Sequence, residues 1–374
     1  MNRPINVIHI CDKFGVAGSS IHGVSRLFSW WIPRFNKDRY QVKLVGLRKG
    51  DPAVETLVKQ GVDVICLNKG KFDISTLFDI ITLIKKEKPD ILHLHGYGAT
   101  NFGLLAAHFY EVKCVVHEHF VDPAMPAYQK LADYLLTRFA DYGIAVSSSV
   151  KEFMIEQRSM REGDVEVVFN GAPLNEFSPV SSDEIAVQRS KWNIPDGCMV
   201  AATIGRLDEQ KGNKYFVEAA RIILRKRQDI RFMIVGDGPY YEQLKALCTE
   251  YEINEDVIFT GYCADVPSLQ SMVDIQVFPS LWEGTPLTLF EAMAMQRPIV
   301  STTVDGLGEV LHDRKNAMLM QPRDANALAE SIEYLLDRPE EAARLAKQAR
   351  EDSKTYDIQA TVERLQDIYE ELLV

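Results

Sequence analysis

No stretch of the chain reaches the roughly 18 uncharged apolar residues that a bilayer-spanning helix needs. No basic and apolar leader follows Met1, so the expectation is a cytoplasmic protein rather than a secreted or integral membrane one. The six cysteines, at positions 11, 66, 114, 198, 248 and 263, form no CxxC pair and no metal-spaced cluster. Most lie in apolar segments, which predicts reduced thiols rather than disulfides. An Asp-x-Asp pair is missing, and so is the GxxxxGK[ST] loop of nucleotide hydrolases. Gly15, Gly18 and Gly23 do not fit GxGxxG, which disfavours a dinucleotide-binding dehydrogenase. Basic charge is also scarce: the formal net charge is -11, which gives nucleic acid no purchase as a partner.

What is present suits two domains. The chain has 374 residues, 46% hydrophobic and 25% charged, too long for one small core. Residues 1–170 hold 21 Lys plus Arg against 19 Asp plus Glu, while the remainder holds 21 against 34. Seven of the eight histidines precede position 120. An acidic second half that binds an anion must do so with local donors, whereas the first half could meet an anionic acceptor or a membrane surface. Segments INVIHI, YQVKLVGL, VDVICL, ILHLH, KCVVHEH and YGIAVS read as strands, with helical patterns between them. VEVVFNG closes this series and APLNEFSPV (172–180) reads as a linker; a second series near Cys198 repeats the logic with RFMIVG, VIFTG, IQVFPS and RPIVST. Near-continuous apolar strands alternating with amphipathic helices imply α/β architecture: two doubly wound, Rossmann-like domains with ligands outside the strand ends.

Two motifs carry chemistry. GRLDEQKG (205–212) lies between an apolar strand and a helix, so Arg206 and Lys211 can converge on a diphosphate, the first by paired hydrogen bonds and the second as a point charge. EGTPLTLFE (283–291) follows the strand IQVFPS and places Glu283 in a loop and Glu291 in the second turn of a helix. Thr285 fits the N-cap and Pro286 the first helical position. The turn Gly284, Thr285, Pro286, Leu287 then aims free backbone NH groups at a phosphate without any metal. Together these describe a metal-free pocket for a sugar nucleotide.

ILHLHG and VVHEHF each place two histidines at alternating positions, on one face of a strand. Four histidines invite a zinc reading, but an H-x-H spacing on parallel strands without Asp-x-Asp makes metal the minor alternative. His93 and His95 read as core or acceptor-loop residues. The two tryptophans in RLFSWWIPRF read as the apolar face of a first helix in preference to a membrane contact, and Asp237 in VGDGP as a turn residue.

With GRLDEQKG, VGDGP, FTGY, FPSLWEGTPLTLFEAMA and GLGEVL in its second half, the sequence resembles the retaining glycosyltransferases of family 4. The resemblance implies GT-B architecture: an acceptor-binding domain over 1–176, a nucleotide-sugar domain over 177–354 facing it across a central cleft, and a helix at 355–374 crossing back to the first. It assigns Arg206 and Lys211 to the departing diphosphate, Glu283 to sugar hydroxyls and Glu291 to the ribose diol. Gly23 faces a phosphate, with Gly18 in the same loop. His119, with His117 as the alternative, stands near the transferred sugar; Asn170 matches the family's interdomain segment, where it either lines the substrate cleft or makes an Asn-Gly turn, and His95 is a further candidate for substrate binding. The implied reaction moves a hexose-type group from a UDP- or GDP-sugar to a hydroxyl of a glycan, lipid-linked or small-molecule acceptor, with no cofactor and no metal, and peripheral membrane contact through the first domain. A sugar-nucleotide epimerase or phosphorylase on the same fold, or a non-catalytic sugar-nucleotide sensor, are the alternatives.

Overall fold

A computed structural model describes residues 3–15, 23–178, 180–263 and 265–374. The chain forms two compact units, Met1–Gly171 with Ile358–Val374, and Ala172–Asp357. The first contains strands β1 (Ile5–Cys11), β2 (Tyr40–Gly46), β3 (Val64–Cys66), β4 (Ile91–His95), β5 (Lys113–Glu118), β6 (Tyr142–Ala145) and β7 (Val165–Val167). The second contains β8 (Met199–Ile204), β9 (Ile230–Val235), β10 (Val257–Gly261), β11 (Ile275–Phe278), β12 (Ile299–Thr302) and β13 (Met318–Met320). Within each sheet the pairs are parallel, in the orders β3-β2-β1-β4-β5-β6-β7 and β10-β9-β8-β11-β12-β13. Strand order therefore reverses between β1 and β4 in one sheet and between β8 and β11 in the other. In doubly wound sheets, ligand crevices open at such points, outside the carboxyl ends of the strands.

Period-two alternation decides what each sheet face carries. In the second unit Ala201, Phe232 and Val277 pack under the helices Asn213–Leu224 and Ala325–Leu336, while Val200, Ala202, Ile204 and Met233 pack on the other side. Both faces are apolar, as a parallel sheet covered on both sides demands. The first unit is asymmetric. Ile8, Ile10, Leu92, Leu94 and Val116 join an apolar core with the helices Ser75–Glu87 and Tyr97–His108. The alternate positions carry His9, His93, His95 and His117, all buried. Against these lie Phe28 and Trp31 of the helix Gly23–Trp31 and Tyr369 of the helix Ile358–Leu373. Phe28 and Trp31 are fully buried and Trp30 nearly so, so the first helix spends its aromatic face on the core.

The sequence reading placed a linker over 172–180, yet the division between units falls at Gly171. The Ala172 NH donates to the Tyr356 carbonyl at 3.1 Å and Phe177 is buried, which ties this segment to the second unit. The expected second boundary at 354 likewise moves to 357, because Tyr356 packs its ring 4.9 Å from that of Phe290. The last helix clusters with the first unit, where Tyr40 donates its hydroxyl to Glu370 and Arg364 pairs with Glu166.

Candidate active site

In the second unit the two chemical motifs occupy the loops after β8 and β11, the strands between which the order reverses. Gly212 closes the first loop in a left-handed conformation, φ +59°, and a Cβ there would stand 2.0 Å from the Pro279 carbonyl oxygen. Only glycine lets these loops touch. That contact brings the Lys211 ammonium 2.5 Å from Glu283 Oε1. Ser280 Oγ donates to the same carboxylate oxygen at 2.9 Å, and Gln210 Nε2 donates to the other at 3.2 Å. Asp305, at the start of the helix Asp305–Val310, accepts the Glu283 backbone NH at 3.0 Å. Burial and the nearby Glu309 raise the Asp305 carboxyl above its ordinary range, with the Glu283 NH opposing. The arrangement is a buried carboxylate held by three side chains, one of them a cation, with its backbone NH anchored on Asp305.

Other expected residues fall around this centre. Arg206 is half exposed, its Nε 3.8 Å from an Asp208 oxygen, so it stands outside the Lys211–Glu283 contact. Glu291 is fully buried in the second turn of the helix Leu287–Ala294. That helix begins one position later than the sequence suggested: Pro286, extended at φ -68° and ψ 136°, is itself the N-cap, and Thr285 precedes it. Proline fixes φ near that value and has no NH of its own, which suits the residue at which the chain enters the helix. Gly284 meets the neighbouring helix at Gly306, where a Cβ would lie 2.0 Å from the Gly284 oxygen. Asn170 is buried just past β7. Gly23 opens its helix with open space around its Cβ position, and Gly18 lies outside the described residues.

The first unit's counterpart is an array of imidazoles at the ends of β1, β4 and β5. His9, His93, His95 and His117 are buried and His119 is partly exposed. His9 Nδ1 lies 3.0 Å from His95 Nε2, and His95 Nδ1 lies 3.0 Å from His119 Nε2. His93 Nε2 lies 3.0 Å from His117 Nδ1. Rings within these pairs meet edge to edge, with centroids at 5.1–5.3 Å, while His9 stacks on His93 at 4.6 Å and His117 on His119 at 4.3 Å. Burial drives the His9 pKa down to about 3 and holds His93, His95 and His117 well below the usual value. These four imidazoles are neutral at pH 7. On the opposite sheet face Glu118 turns to Arg158, whose fully buried guanidinium also grips Asp133 at 2.9 Å. This triad fixes the end of β5, and so the backbone that presents His119.

Profile comparison decides the family. The profile described as "Glycosyl transferases group 1" matches residues 184–352, and that described as "Glycosyltransferase Family 4" matches residues 21–176. The chain belongs to the group 1 glycosyltransferases. The UDP-Gal:alpha-D-GlcNAc-diphosphoundecaprenol alpha-1,3-galactosyltransferase of Escherichia coli is 26% identical over 325 residues, 84% of either chain. Among solved structures, a glycosyltransferase from Rickettsia africae ESF-5 superposes with a TM-score of 0.86 at 20% identity, covering 100% of this chain and 99% of its own. Anabaena HepE in complex with UDP and glucose gives a TM-score of 0.85 at 20% identity, covering 97% of this chain and 99% of its own. This group 1 glycosyltransferase therefore has the GT-B fold class, with two parallel Rossmann-like sheets.

The candidate site contains residues that the sequence motifs do not mark. Gln210 and Ser280 lay inside quoted motifs, but nothing in their spacing marked them as donors to Glu283. Asp305 precedes GLGEVL and carries no signal of its own; its role follows from the loop approach at Gly306. His9 was legible in principle, since it alternates with Ile8 and Ile10 as His93 and His95 alternate with Leu92 and Leu94. Tyr369 could not have been paired with it from sequence.

Proposed function

We propose that this glycosyltransferase retains anomeric configuration, needs no metal, and moves a hexosyl group from UDP-sugar to a hydroxyl of a lipid-linked acceptor. The Lys211–Glu283 contact at the reversal point of the second sheet carries the reading. As the glycosidic bond to the diphosphate breaks, negative charge grows on the leaving oxygen and the sugar becomes oxocarbenium-like. Lys211 and Arg206 supply fixed positive charge to that oxygen, a role for which preorganised donors are most effective. Glu283, held by Ser280 and Gln210, orients sugar hydroxyls, and Glu291 takes the ribose diol. A double displacement needs an uncommitted carboxylate nucleophile, whereas Glu283 is committed to Lys211. Front-face attack follows: the acceptor oxygen bonds to the anomeric carbon on the side the diphosphate leaves, and its proton passes to the phosphate. UDP as the nucleotide is supported by the names of the Escherichia coli relative and the Anabaena complex.

The test combines the purified protein with individual UDP- and GDP-sugars in EDTA and records melting temperature and released nucleoside diphosphate. Stabilisation and slow release with a UDP-sugar are expected. Release only after a divalent ion is restored removes metal independence, and free sugar with a changed configuration removes retention.

The acceptor side is supported by a surface of the first unit. Phe72, Ile74 and Phe78, from the start of the helix Ser75–Glu87, and Tyr128, Leu131 and Tyr134 of the helix Ala127–Leu136 are exposed by 49% to 70%. The rings of Phe72 and Tyr128 meet at 5.8 Å, and Lys71 lies over Phe72. Apolar and aromatic side chains flanked by lysine match the interface of an anionic bilayer, where a polyprenyl-linked acceptor such as that named for the relative would reside. Sedimentation with phosphatidylglycerol vesicles, lost in Leu131→Glu with Tyr134→Glu, is the expected result. Equal recovery of both proteins in the supernatant removes the membrane from the reading.

A further inference from the structure

Asp305 holds a backbone conformation that suits another residue. Its φ is +35°, in the region that glycine occupies freely and residues with a side chain rarely adopt. Such conformations persist only where the surroundings fix them, and they collect at ligand-binding positions. Two contacts fix this one. Asp305 Oδ2 accepts the Glu283 NH at 3.0 Å, and the Gly306 NH donates to the Glu283 carbonyl at 3.5 Å. Residues 305 and 306 thus clasp both backbone polar groups of Glu283, the residue whose carboxylate meets Lys211.

A glycine in place of Asp305 would relax the backbone and keep the Gly306 half of the clasp. The carboxylate therefore calls for a further reason. Its Oδ1 accepts no hydrogen bond from the described residues and stays open to solvent, and no cation among those residues pairs with Asp305. The neighbouring ammonium of Lys211 is engaged by Glu283. Burial raises the Asp305 carboxyl, and Glu309, one turn along the helix Asp305–Val310, raises it further. A carboxylate so placed is stabilised by donors that bring hydrogen without negative charge. The hydroxyls of an uncharged sugar are such donors, whereas a carboxylate on the sugar would be repelled.

We infer that Asp305 is a donor-specificity residue: its Oδ1 accepts a hydroxyl of the transferred sugar beside Glu283, and its charge selects a neutral hexose over a uronic acid. The inference rests on the reading of Glu283 as the group that orients sugar hydroxyls, and it extends that reading to a second carboxylate.

The test uses the full-length protein and isothermal calorimetry at pH 8 in EDTA. The ligands are UDP and two matched pairs, UDP-glucose with UDP-glucuronate and UDP-galactose with UDP-galacturonate. In the pair that the parent binds more tightly, the neutral sugar should exceed the uronate in affinity by about tenfold or more. Asp305→Gly accommodates φ +35° and removes only the carboxylate. It should weaken the neutral sugar by about tenfold, the loss of one hydrogen bond to a charged group. The ratio of neutral sugar to uronate should narrow by at least that factor, with UDP held within about twofold. If Asp305→Gly does not fold, Asp305→Asn keeps an oxygen for the Glu283 NH, removes the charge and should narrow the ratio in the same way. A residue that merely clasps Glu283 would lower the affinity for UDP and every sugar together and leave the ratio unchanged, which overturns the inference. A parent that binds a uronate as tightly as its neutral partner overturns it as well. A parent that binds no UDP-sugar removes the sugar reading of Glu283 and the inference with it, whereas an unchanged ratio in Asp305→Gly leaves that reading standing.

Discussion

At the scale of single residues, the two cations of the GRLDEQKG loop separate function from stability. Arg206 is half exposed and its guanidinium pairs, among the described residues, with Asp208 at 3.8 Å, so Arg206→Ala should leave unfolding within about 0.5 kcal/mol of the parent. It should lower turnover at saturating donor by roughly 10² to 10³. Lys211→Ala should lose similar activity and also stability, because it strips the counter-charge from a Glu283 that is 4% exposed. Urea unfolding together with kcat for the pair checks this; equal stability of both variants would contradict the buried ion pair. A sharper case is Arg158, fully buried between Glu118 and Asp133. Burial raises the Glu118 carboxyl and the guanidinium opposes it. Arg158→Met should cost about 3–5 kcal/mol, since it leaves two carboxylates in the core with no partner. A loss below about 1 kcal/mol in denaturant titration would show that water already reaches the triad.

At the scale of elements, function depends on how closely loops can approach. The added Cβ of Gly306→Ala would collide with the Gly284 oxygen, so the EGTP turn and the Asp305 helix must part. We expect a loss of about 1–3 kcal/mol and weaker UDP binding by calorimetry. Gly23→Ala, with nothing near its Cβ, should melt like the parent. Unchanged UDP affinity in Gly306→Ala would detach that contact from the site. These elements also show what the sequence made legible. Strands of apolar runs, helices of 3.6-residue period and the loop positions of Arg206, Lys211 and Glu283 followed from local pattern, because backbone geometry imposes those periods directly. The start of the helix at Leu287 was missed by one residue, since Pro286 serves as cap or as first turn with equal ease and tertiary contacts choose between them. Contacts between distant segments, such as Asp305 to Glu283 or Tyr369 to His93, leave no periodic trace. They arise only once strand order has brought chain ends together.

At the scale of the molecule, the buried histidines make stability depend on acidity. His9 titrates near 3 when folded against an ordinary 6.5, and His93, His95 and His117 shift the same way. Between those values the unfolded chain binds protons that the folded one refuses. The contribution is therefore complete above pH 6.5 and is lost as pH falls toward 3, at about 1.4 kcal/mol per pH unit for each histidine. The melting temperature should drop steeply from pH 7 to pH 5; a flat profile there would mean that the array accepts charge when folded. The first unit, moreover, is made of residues from both ends of the chain. A ribosome synthesises Tyr369 only after residues 172–357, so the nascent first unit waits, its imidazoles one hydroxyl short, while the whole second unit emerges and can fold. Premature termination between residue 357 and Tyr369 would thus release a protein whose second unit is complete and whose histidine-bearing first unit is not, and quality control would see the defect in the half that was made first.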